Sequence, residues 1–199
     1  MLIDQRVKTA FNKVRRERYC IPAQRAHAYD DRPLPIGFGQ TISQPSLVAY
    51  MTEALAPEPG EKVLEIGTGS GFQAALLAEM GAQVFSIEII DALAKRAAAT
   101  LRAEGYEDVQ VRAGDGYQGW PEEAPFDAII LTAAPEEVPP TLLEQLRPGP
   151  GRLLVPEGSQ GFGGQTLKLY RKAADGTITA ERLLAVRFVP MVREGQHEE

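Results

Sequence analysis

The stretch that most constrains the fold is residues 62–71, which reads KVLEIGTGSG. A short apolar run, interrupted by one acid, leads into glycines at alternate positions, and the chain continues into the mostly apolar residues 72–78. This order predicts a buried strand, a tight turn and a helix that packs back on the strand. Such a turn, outside the carboxyl end of a central strand, is where open α/β sheets bind nucleotide-like ligands.

The spacing of these glycines does not by itself identify the ligand. A dinucleotide fingerprint reads Gly-x-Gly-x-x-Gly, but here Gly67 and Gly69 are followed by a third glycine one residue early, at Gly71. The spacing Glu65-x-Gly-x-Gly-x-Gly resembles motif I of the S-adenosylmethionine-dependent methyltransferases, whose cofactor has no phosphate. A glycine turn that merely joins a strand to a helix is the third interpretation.

Composition limits the class of protein. The chain has 199 residues, of which 44% are hydrophobic and 24% charged, which is typical of one globular domain with a sizeable core. No apolar run is long enough to span a membrane, and we expect no signal peptide. The single cysteine, Cys20, excludes an intrachain disulfide and a cysteine metal cluster, and we expect it to be a packing residue. We therefore expect a cytoplasmic protein without a metal or a membrane partner, and we expect a monomer.

Charge is spread unevenly along the chain, although the net charge is −6. Residues 1–32 hold eight Lys or Arg against four Asp or Glu, and residues 33–199 hold thirteen against twenty-three. The acidic body argues against binding to a nucleic-acid backbone. The basic start predicts the solvated face of an amphipathic helix over residues 2–18, with Arg15, Arg16 and Arg18 near its end; a nucleic-acid arm is the alternative.

Strands and helices are predicted to alternate after this start. Helices are predicted at 46–56, 72–80, 139–146 and from Asp91, as N-cap, to Gly105, and strands at 84–88, 109–112, 126–132 and 152–155. This alternation predicts an α/β fold with a mostly parallel, doubly wound sheet. Residues 166–171 and 177–188 are strand-like and joined by Asp175-Gly176, which predicts an antiparallel C-terminal hairpin. Within a single domain, 1–199, we distinguish an N-terminal helical segment with a substrate-side loop (1–60), a cofactor-binding βα core (61–157), C-terminal strands (158–193) and a polar tail (194–199).

Two acids lie where predicted strands end. Glu88 comes 21 residues after Gly67, and an acid near that spacing can hold two ribose hydroxyls. The alternative is a solvent-exposed acid before the next helix. Asp115, in the sequence Gly114-Asp115-Gly116, could accept a hydrogen bond from an adenine amino group, although Asp-Gly is also a common turn pair.

Residues 32–45 are rich in proline, glycine and small polar side chains, which predicts a rigid, irregular loop. Loops of this kind carry function more often than packing. Ser43 in this loop is either functional or the cap of the helix that begins near Ser46. His27, just before it, could be a general base, but we expect a surface or hydrogen-bonded histidine.

Several stretches together resemble the protein-L-isoaspartate O-methyltransferase family, and the match runs from about Tyr29 to Met191. They are PLPIGFGQTISQP at 33–45, GDGYQGW at 114–120, QLRPG at 145–149 and FVPM at 188–191. The resemblance implies a Rossmann-like methyltransferase fold and S-adenosyl-L-methionine as cofactor, with S-adenosyl-L-homocysteine as product. It also implies an acceptor, the free carboxylate of L-isoaspartyl residues in damaged proteins and peptides, whose methylation starts repair through a succinimide.

The resemblance assigns roles to particular residues. Ser43 matches the catalytic serine of the family. The cofactor-binding residues would be Glu65, Gly67, Gly69, Gly71, Glu88, Gly114 and Asp115, and the substrate side would include Thr41, Ile42, Gln44 and Pro45. Three positions depart from the family pattern: Pro150 removes a backbone donor, Val192 replaces a threonine found in some members, and Glu157 replaces an aliphatic residue, which predicts an exposed turn there.

The acceptor that the resemblance implies needs little acid–base chemistry. A carboxylate with an ordinary pKa of about 4 is already ionised near neutral pH, so no general base is required. This fits a chain with two histidines and no Ser-His-Asp arrangement. Methylation of a nucleic-acid base or small amine is a second hypothesis, but the residues after the fourth core strand are Thr132-Ala133-Ala134-Pro135 and not Asn/Asp-Pro-Pro-Tyr. A non-catalytic nucleotide-binding module is the third.

Overall fold

The N-terminal segment is shorter as a helix than its pattern predicts. The computed structural model describes residues 4–159, 164–193 and 195. Helix α1 (Gln5–Lys13) begins after Asp4, whose carboxylate accepts a hydrogen bond from the N–H of Arg6 at 2.7 Å. It ends where Val14 becomes extended, and 3₁₀ turns follow at Arg16–Tyr19 and Pro22–His27. The predicted helix over 2–18 is therefore too long at its C-terminal end, and residues 2 and 3 lie outside the described part of the chain.

Arg16 lies just beyond the end of this helix and turns into the core. Its side chain is buried, its Nε donates to the carbonyl of Ala28 at 2.7 Å, and its guanidinium carbon lies 5.1 Å from the ring centroid of Phe72. The predicted solvated face is therefore wrong for Arg16, whereas Arg15 and Arg18 are exposed and approach Glu104. The sequence pattern gives no sign of this burial, because the partners of Arg16 are far along the chain.

The predicted irregular loop contains a hairpin. Strands β1 (Leu34–Gly37) and β2 (Gln40–Ile42) pair antiparallel. Leu34 and Ile36 are buried, and Arg96 donates to the carbonyl of Ile36 at 2.5 Å, which ties the hairpin to the body of the protein. Helix α2 (Pro45–Leu55) follows with Gln44 at its N-cap, so Ser43 is not the cap that its sequence position allowed.

The main sheet has seven strands, and their order confirms the predicted fold class. The strands are β3 (Lys62–Ile66), β4 (Gln83–Glu88), β5 (Gln110–Ala113), β6 (Ala128–Leu131), β7 (Arg152–Glu157), β8 (Gln165–Lys172) and β9 (Ile178–Val186). Their order is β5-β4-β3-β6-β7-β8-β9, parallel as far as β7 and antiparallel from β7 to β9. No helix in the described residues is long and apolar enough to cross a lipid bilayer.

Helices cover both faces of this sheet because successive strand residues point to opposite sides. Val63, Ile130 and Leu154 pack on the face with α1, α2, α3 (Phe72–Glu79) and α4 (Asp91–Ala103). The other face buries Leu64 and Ile129, their neighbours in sequence, with α5 (Pro140–Glu144). Ile90 is the N-cap of α4, so the predicted cap, Asp91, is instead its first residue.

The end of the described chain returns to the centre of the sheet. The turn between β8 and β9 is the predicted Asp175-Gly176 pair, with Gly176 at φ +87°. Beyond β9, Ala134 donates to the carbonyl of Val189 and accepts from the N–H of Met191, each at 2.8 Å. The side chain of Gln165 bonds both the N–H and the carbonyl of Phe188, at 2.6 and 3.1 Å. These contacts bring residues 188–192 to the carboxyl end of β6; the predicted polar tail, apart from residue 195, lies outside the described residues.

Three further expectations have clear outcomes. The predicted exposed turn at Glu157 is wrong: its side chain is 11% exposed, it pairs with Lys168, and it accepts hydrogen bonds from the Tyr170 hydroxyl and the Val138 N–H. The strand pairing of β7 with β8 places Lys168 and Tyr170 beside Glu157.

Cys20 is buried, as expected of a packing residue, and His27 is exposed and bonds Asp30 at 3.0 Å, as predicted.

Candidate active site

A cavity lies at the carboxyl ends of the central strands β3, β4 and β6. It is lined by four stretches far apart in sequence, namely residues 40–43, 65–70, 87–89 and 188–192, and by Thr132 and Ala133. We call it the main cavity. It brings together seven of the residues that the sequence singled out: Thr41, Ile42, Ser43, Glu65, Gly67, Gly69 and Glu88. Gln44, Pro45, Gly71, Gly114 and Asp115 are not in its lining.

The N–H groups of the glycine turn are bonded to the protein itself. Gly67 and Thr68 donate to the carbonyl of Ile87 at 2.8 and 3.3 Å, Gly71 donates to the carbonyl of Thr68 at 2.8 Å, and Gly69 donates to the Glu88 carboxylate at 2.8 Å. A pyrophosphate at a helix N-terminus needs such groups pointing at the ligand. The geometry therefore favours the phosphate-free cofactor over the dinucleotide that the spacing left open.

At two of these glycines, a side chain is disfavoured both by a positive φ angle and by the closeness of a neighbouring side chain. Gly67 has φ +96°, and a Cβ there would lie 2.5 Å from Oγ1 of Thr132, which donates to the Gly67 carbonyl at 2.6 Å. Gly71 has φ +87° and is the N-cap of α3, where a Cβ would lie 3.2 Å from Cγ of Leu101. Gly71 thus fixes how α3 and α4 pack, without lining the main cavity.

Glu65 is a buried acid in the wall of the main cavity. Its side chain is fully buried, and Oε2 accepts a hydrogen bond from the Ser86 hydroxyl at 2.5 Å. Oε1 has no partner within the described part of the chain. Burial raises the pKa of this carboxyl to about 8. A buried oxygen without a donor is costly, and the ammonium group of S-adenosylmethionine would supply one, so the residues present fit this cofactor.

Glu88 is also buried and ends strand β4. Its two carboxylate oxygens accept hydrogen bonds from the N–H groups of Gly69 at 2.8 Å and Ile90 at 3.0 Å. The alternative interpretation, a solvent-exposed acid, is therefore wrong. A carboxylate has about four lone-pair sites, so one carboxylate can accept from backbone N–H groups and from ligand hydroxyl groups together. The Glu88 carboxylate, together with the Glu65 carboxyl that a bound cation would ionise, favours a ligand with positive charge.

Asp115 lies one residue away from the main cavity. Its Oδ1 accepts a hydrogen bond from the N–H of Tyr117 at 2.9 Å and caps the 3₁₀ turn Gly116–Gln118. This is the turn that the Asp-Gly pair predicted as the alternative to a ligand contact. The next residue, Gly116, does line the cavity, and a Cβ there would lie 2.4 Å from Cγ2 of Ile66. The contact of Asp115 with an adenine stays a prediction.

Ser43 lies where the main cavity meets a second cavity. The second cavity includes Pro33, Thr41, Ser43, Gln44, Leu47 and Arg187 in its lining. Within the described residues the Ser43 hydroxyl has no hydrogen-bond partner, so it is available to a ligand. Gln44 donates to Asp31 and Ser46, each at 3.0 Å, and Pro45 begins α2 and lines neither cavity.

Two parts of the site were missed by reasoning from the sequence. Thr132 supports the glycine turn from the end of β6, and residues 188–192 form a wall of the main cavity. The sequence Phe188-Val189-Pro190-Met191 was singled out by resemblance, but no periodic pattern indicates that it returns to the sheet. Val192 is in the lining, so the absent threonine hydroxyl is a real difference in the wall.

The sheet order, the internally bonded glycine turn and the acids at the ends of β3 and β4 define a protein of the S-adenosylmethionine-dependent methyltransferase class. The model of one family in this class, protein-L-isoaspartate(D-aspartate) O-methyltransferase, matches residues 1–196. The chain belongs to this family.

Individual relatives are similar along nearly the whole chain. A protein-L-isoaspartate O-methyltransferase of Gloeobacter violaceus is 55% identical over 194 residues, which cover 98% of this chain and 93% of the relative. One from Opitutus terrae is 54% identical over 193 residues, covering 97% and 82%. A crystal structure of a Plasmodium falciparum protein assigned the same activity, in complex with S-adenosyl-L-homocysteine, superposes with a TM-score of 0.84 at 25% identity and covers 97% of this chain and 93% of that one.

Proposed function

We propose that this enzyme transfers a methyl group from S-adenosyl-L-methionine to the free carboxylate of L-isoaspartyl residues in damaged proteins and peptides. The observation that carries the proposal is the position of Ser43, which lines both cavities and whose hydroxyl has no hydrogen-bond partner among the described residues. The family to which the chain belongs and the printed names of its relatives support this acceptor. They give no support to methylation of a nucleic-acid base or a small amine.

The main cavity suits the cofactor by charge and by shape. Glu65 and Glu88 offer carboxylate oxygens, and the glycine turn lets the backbone approach a ligand without a Cβ in the way. S-adenosylmethionine, when bound, supplies an electrophilic methyl group on a positively charged sulfur. We propose that Glu65 accepts from the ammonium group and that Glu88 accepts from the ribose hydroxyls, with Gly67 and Gly69 beneath the ligand.

Ser43 would act by orienting the acceptor. A hydroxyl that donates to one carboxylate oxygen directs the other oxygen toward the methyl group. A single neutral donor leaves most of the negative charge on the attacking oxygen, and alignment of the reacting atoms supplies much of the rate. The ester then gives a succinimide when the next backbone nitrogen, losing its proton, attacks the ester carbon and expels methanol, and hydrolysis of the succinimide returns some normal aspartate. That step requires no group from the enzyme.

Three properties stay predictions. The partners would be isoaspartyl-containing proteins and peptides, without nucleic acid or membrane. A cytoplasmic location was expected from the single cysteine and the sequence pattern. We also expect a monomer, which light scattering of the purified protein would check.

The direct test compares two peptides of the same sequence, one with L-isoaspartate and one with L-aspartate. We expect methyl transfer from labelled S-adenosylmethionine to the isoaspartyl peptide only. An isoaspartyl peptide whose α-carboxyl group is amidated is the control, because it keeps the altered backbone and lacks the acceptor. Equal transfer to the aspartyl peptide, or transfer to the amidated one, would contradict the proposal.

A further inference from the structure

Arg187 places an uncompensated positive charge beside Ser43. It lies directly after β9, its side chain is exposed, and it lines the second cavity together with Ser43 and Gln44. Among the residues that the structure describes, it has no ion-pair or hydrogen-bond partner. Other arginines of the same region are engaged: Arg32 pairs with Asp30 at 3.2 Å, and Arg182 donates to the Thr166 hydroxyl at 3.1 Å.

The backbone that carries Arg187 is held in place. The next residue, Phe188, is buried, and both its N–H and its carbonyl bond the side chain of Gln165. The guanidinium is therefore attached to a fixed point at the edge of the second cavity, while its own side chain is free to adjust. This combination suits contact with polypeptides of varied sequence.

The two cavities differ in the charge of their linings. The main cavity contains the acidic side chains of Glu65 and Glu88, whereas Arg187 is the only charged one among the described residues that line the second cavity. The protein as a whole has a net charge of −6, which disfavours the approach of an acidic polypeptide in general. At the second cavity it would instead meet a guanidinium, whose donors match the geometry of a carboxylate.

The acceptor carboxylate is a poor partner for this arginine. One of its oxygens is oriented by Ser43 and the other must attack the methyl group, so a guanidinium across both oxygens would withdraw charge from the nucleophile. We propose that Arg187 is a specificity-determining residue that binds a second carboxylate, an Asp or Glu side chain adjacent to the isoaspartyl residue. The inference rests on the proposed function and adds to it a preference for acidic segments.

The experiment uses isoaspartyl peptides that differ at one position beside the isoaspartate, which is Glu, Gln or Lys, placed on either side in separate sets. KM and kcat are measured for the wild-type protein, Arg187→Gln and Arg187→Glu, with Arg182→Gln, in the strand β9 that leads to Arg187, as a matched arginine control. In at least one of the two sets, we expect the wild-type KM to be about 1.5- to 5-fold lower for the peptide with Glu than for the peptide with Gln. This factor corresponds to the free energy of an exposed ion pair. The KM for Lys should be highest.

The variants separate a charge contact from a structural role. Arg187→Gln should remove the difference between the peptides while kcat stays unchanged, and Arg187→Glu should reverse the order so that the Lys peptide is favoured. Arg182→Gln should behave as wild type. The wild-type difference should shrink at about 1 M salt, where the Debye length is only about 3 Å.

The inference is overturned if the wild-type KM is independent of the flanking charge on both sides, or if the order is the same in Arg187→Gln. A uniform fall in kcat without a change of order would also overturn it, because it indicates a structural role. Methylation of none of the isoaspartyl peptides would instead contradict the proposed function. In that case fluorescence anisotropy of the labelled peptides measures binding directly, and equal affinity for the Glu and Lys peptides overturns the role of Arg187.

Discussion

The backbone N–H of Gly69 donates a hydrogen bond of 2.8 Å to the carboxylate of Glu88 and so links the turn after β3 to the end of β4. The acid that we expect to hold the ribose therefore also fixes the loop beneath the cofactor. Ligand contact and loop geometry are coupled through one side chain, and substitutions at Glu88 must be designed to separate them.

Glu88→Ala should weaken binding of S-adenosyl-L-homocysteine by about 1.5–3 kcal/mol, the range for hydrogen bonds to charged groups. Calorimetry measures this loss. Glu88→Gln keeps the shape and one acceptor oxygen, so its loss should be smaller. Asp91→Asn, at an exposed acid that begins α4, is the control and should bind as wild type. Unchanged affinity in a folded Glu88→Ala protein would mean that Glu88 serves the turn alone.

Glu65 should make the stability of the cofactor-free protein depend on pH. Burial raises its pKa from 4.5 to about 8, so between these values the folded protein holds a proton that the unfolded chain has released. The free energy of unfolding should therefore fall as the pH rises through this window. Glu65→Gln should flatten that dependence, measured by urea unfolding at several pH values. An equal slope in the variant would contradict the assignment.

The same carboxyl should couple cofactor binding to proton release. A bound ammonium group favours the ionised form of Glu65, so affinity for S-adenosyl-L-homocysteine should rise with pH up to about 8. Calorimetry at pH 7 in two buffers with different ionisation enthalpies counts the released protons. We expect net release in the wild-type protein and less in Glu65→Gln, and no difference between the two proteins would disprove the contact.

Ser43→Ala should lower kcat by about 10- to 150-fold, which corresponds to the loss of one hydrogen bond to a charged group, about 1.5–3 kcal/mol. Affinity for S-adenosyl-L-homocysteine should stay the same, because Ser43 is assigned to the acceptor. Ser43→Thr retains a hydroxyl and should recover part of the rate, and Ser159→Ala, at an exposed serine, is the control. Full activity of Ser43→Ala would show that another group orients the carboxylate.

Gly67 and Thr132 should be coupled in stability. Gly67→Ala introduces a Cβ that would lie 2.5 Å from Oγ1 of Thr132, and it also places alanine at φ +96°. Thr132→Ala removes the clash but leaves the backbone strain, which is of order 1–3 kcal/mol. The double variant should therefore lose less free energy of unfolding than the sum of the single losses. Strict additivity in urea unfolding would show that the two residues do not interact.

Much of the fold follows from local patterns, because alternation of strands and helices and the Asp175-Gly176 turn are read within short windows. The acid Glu88 could be placed by the same means, since it lies at the end of a predicted strand, whereas Glu65 was assigned by resemblance. The role of Ser43 came from resemblance alone. The loop around it was wrongly predicted as irregular, because the hairpin depends on burial of Leu34 and Ile36 against distant residues.

The remaining errors and omissions have one physical origin. Arg16 is buried against Phe72 and Ala28, Glu157 is satisfied by the neighbouring strand, and Thr132 supports a glycine 65 residues earlier. Each depends on a contact between segments that are remote in sequence. A pattern of polarity describes one element at a time and carries no information about such pairs.

The wall formed by residues 188–192 has a consequence for the order in which the protein becomes active during its synthesis. The glycine turn and Ser43 are made early, but the wall is held by Gln165 and Ala134 only after β8 and β9 have been made and paired. A ribosome-bound chain that has reached β7 already contains both acids and the serine, yet it lacks one side of the cavity. The cavity therefore gains this wall only after residues 188–192 have been made and have reached the carboxyl end of β6.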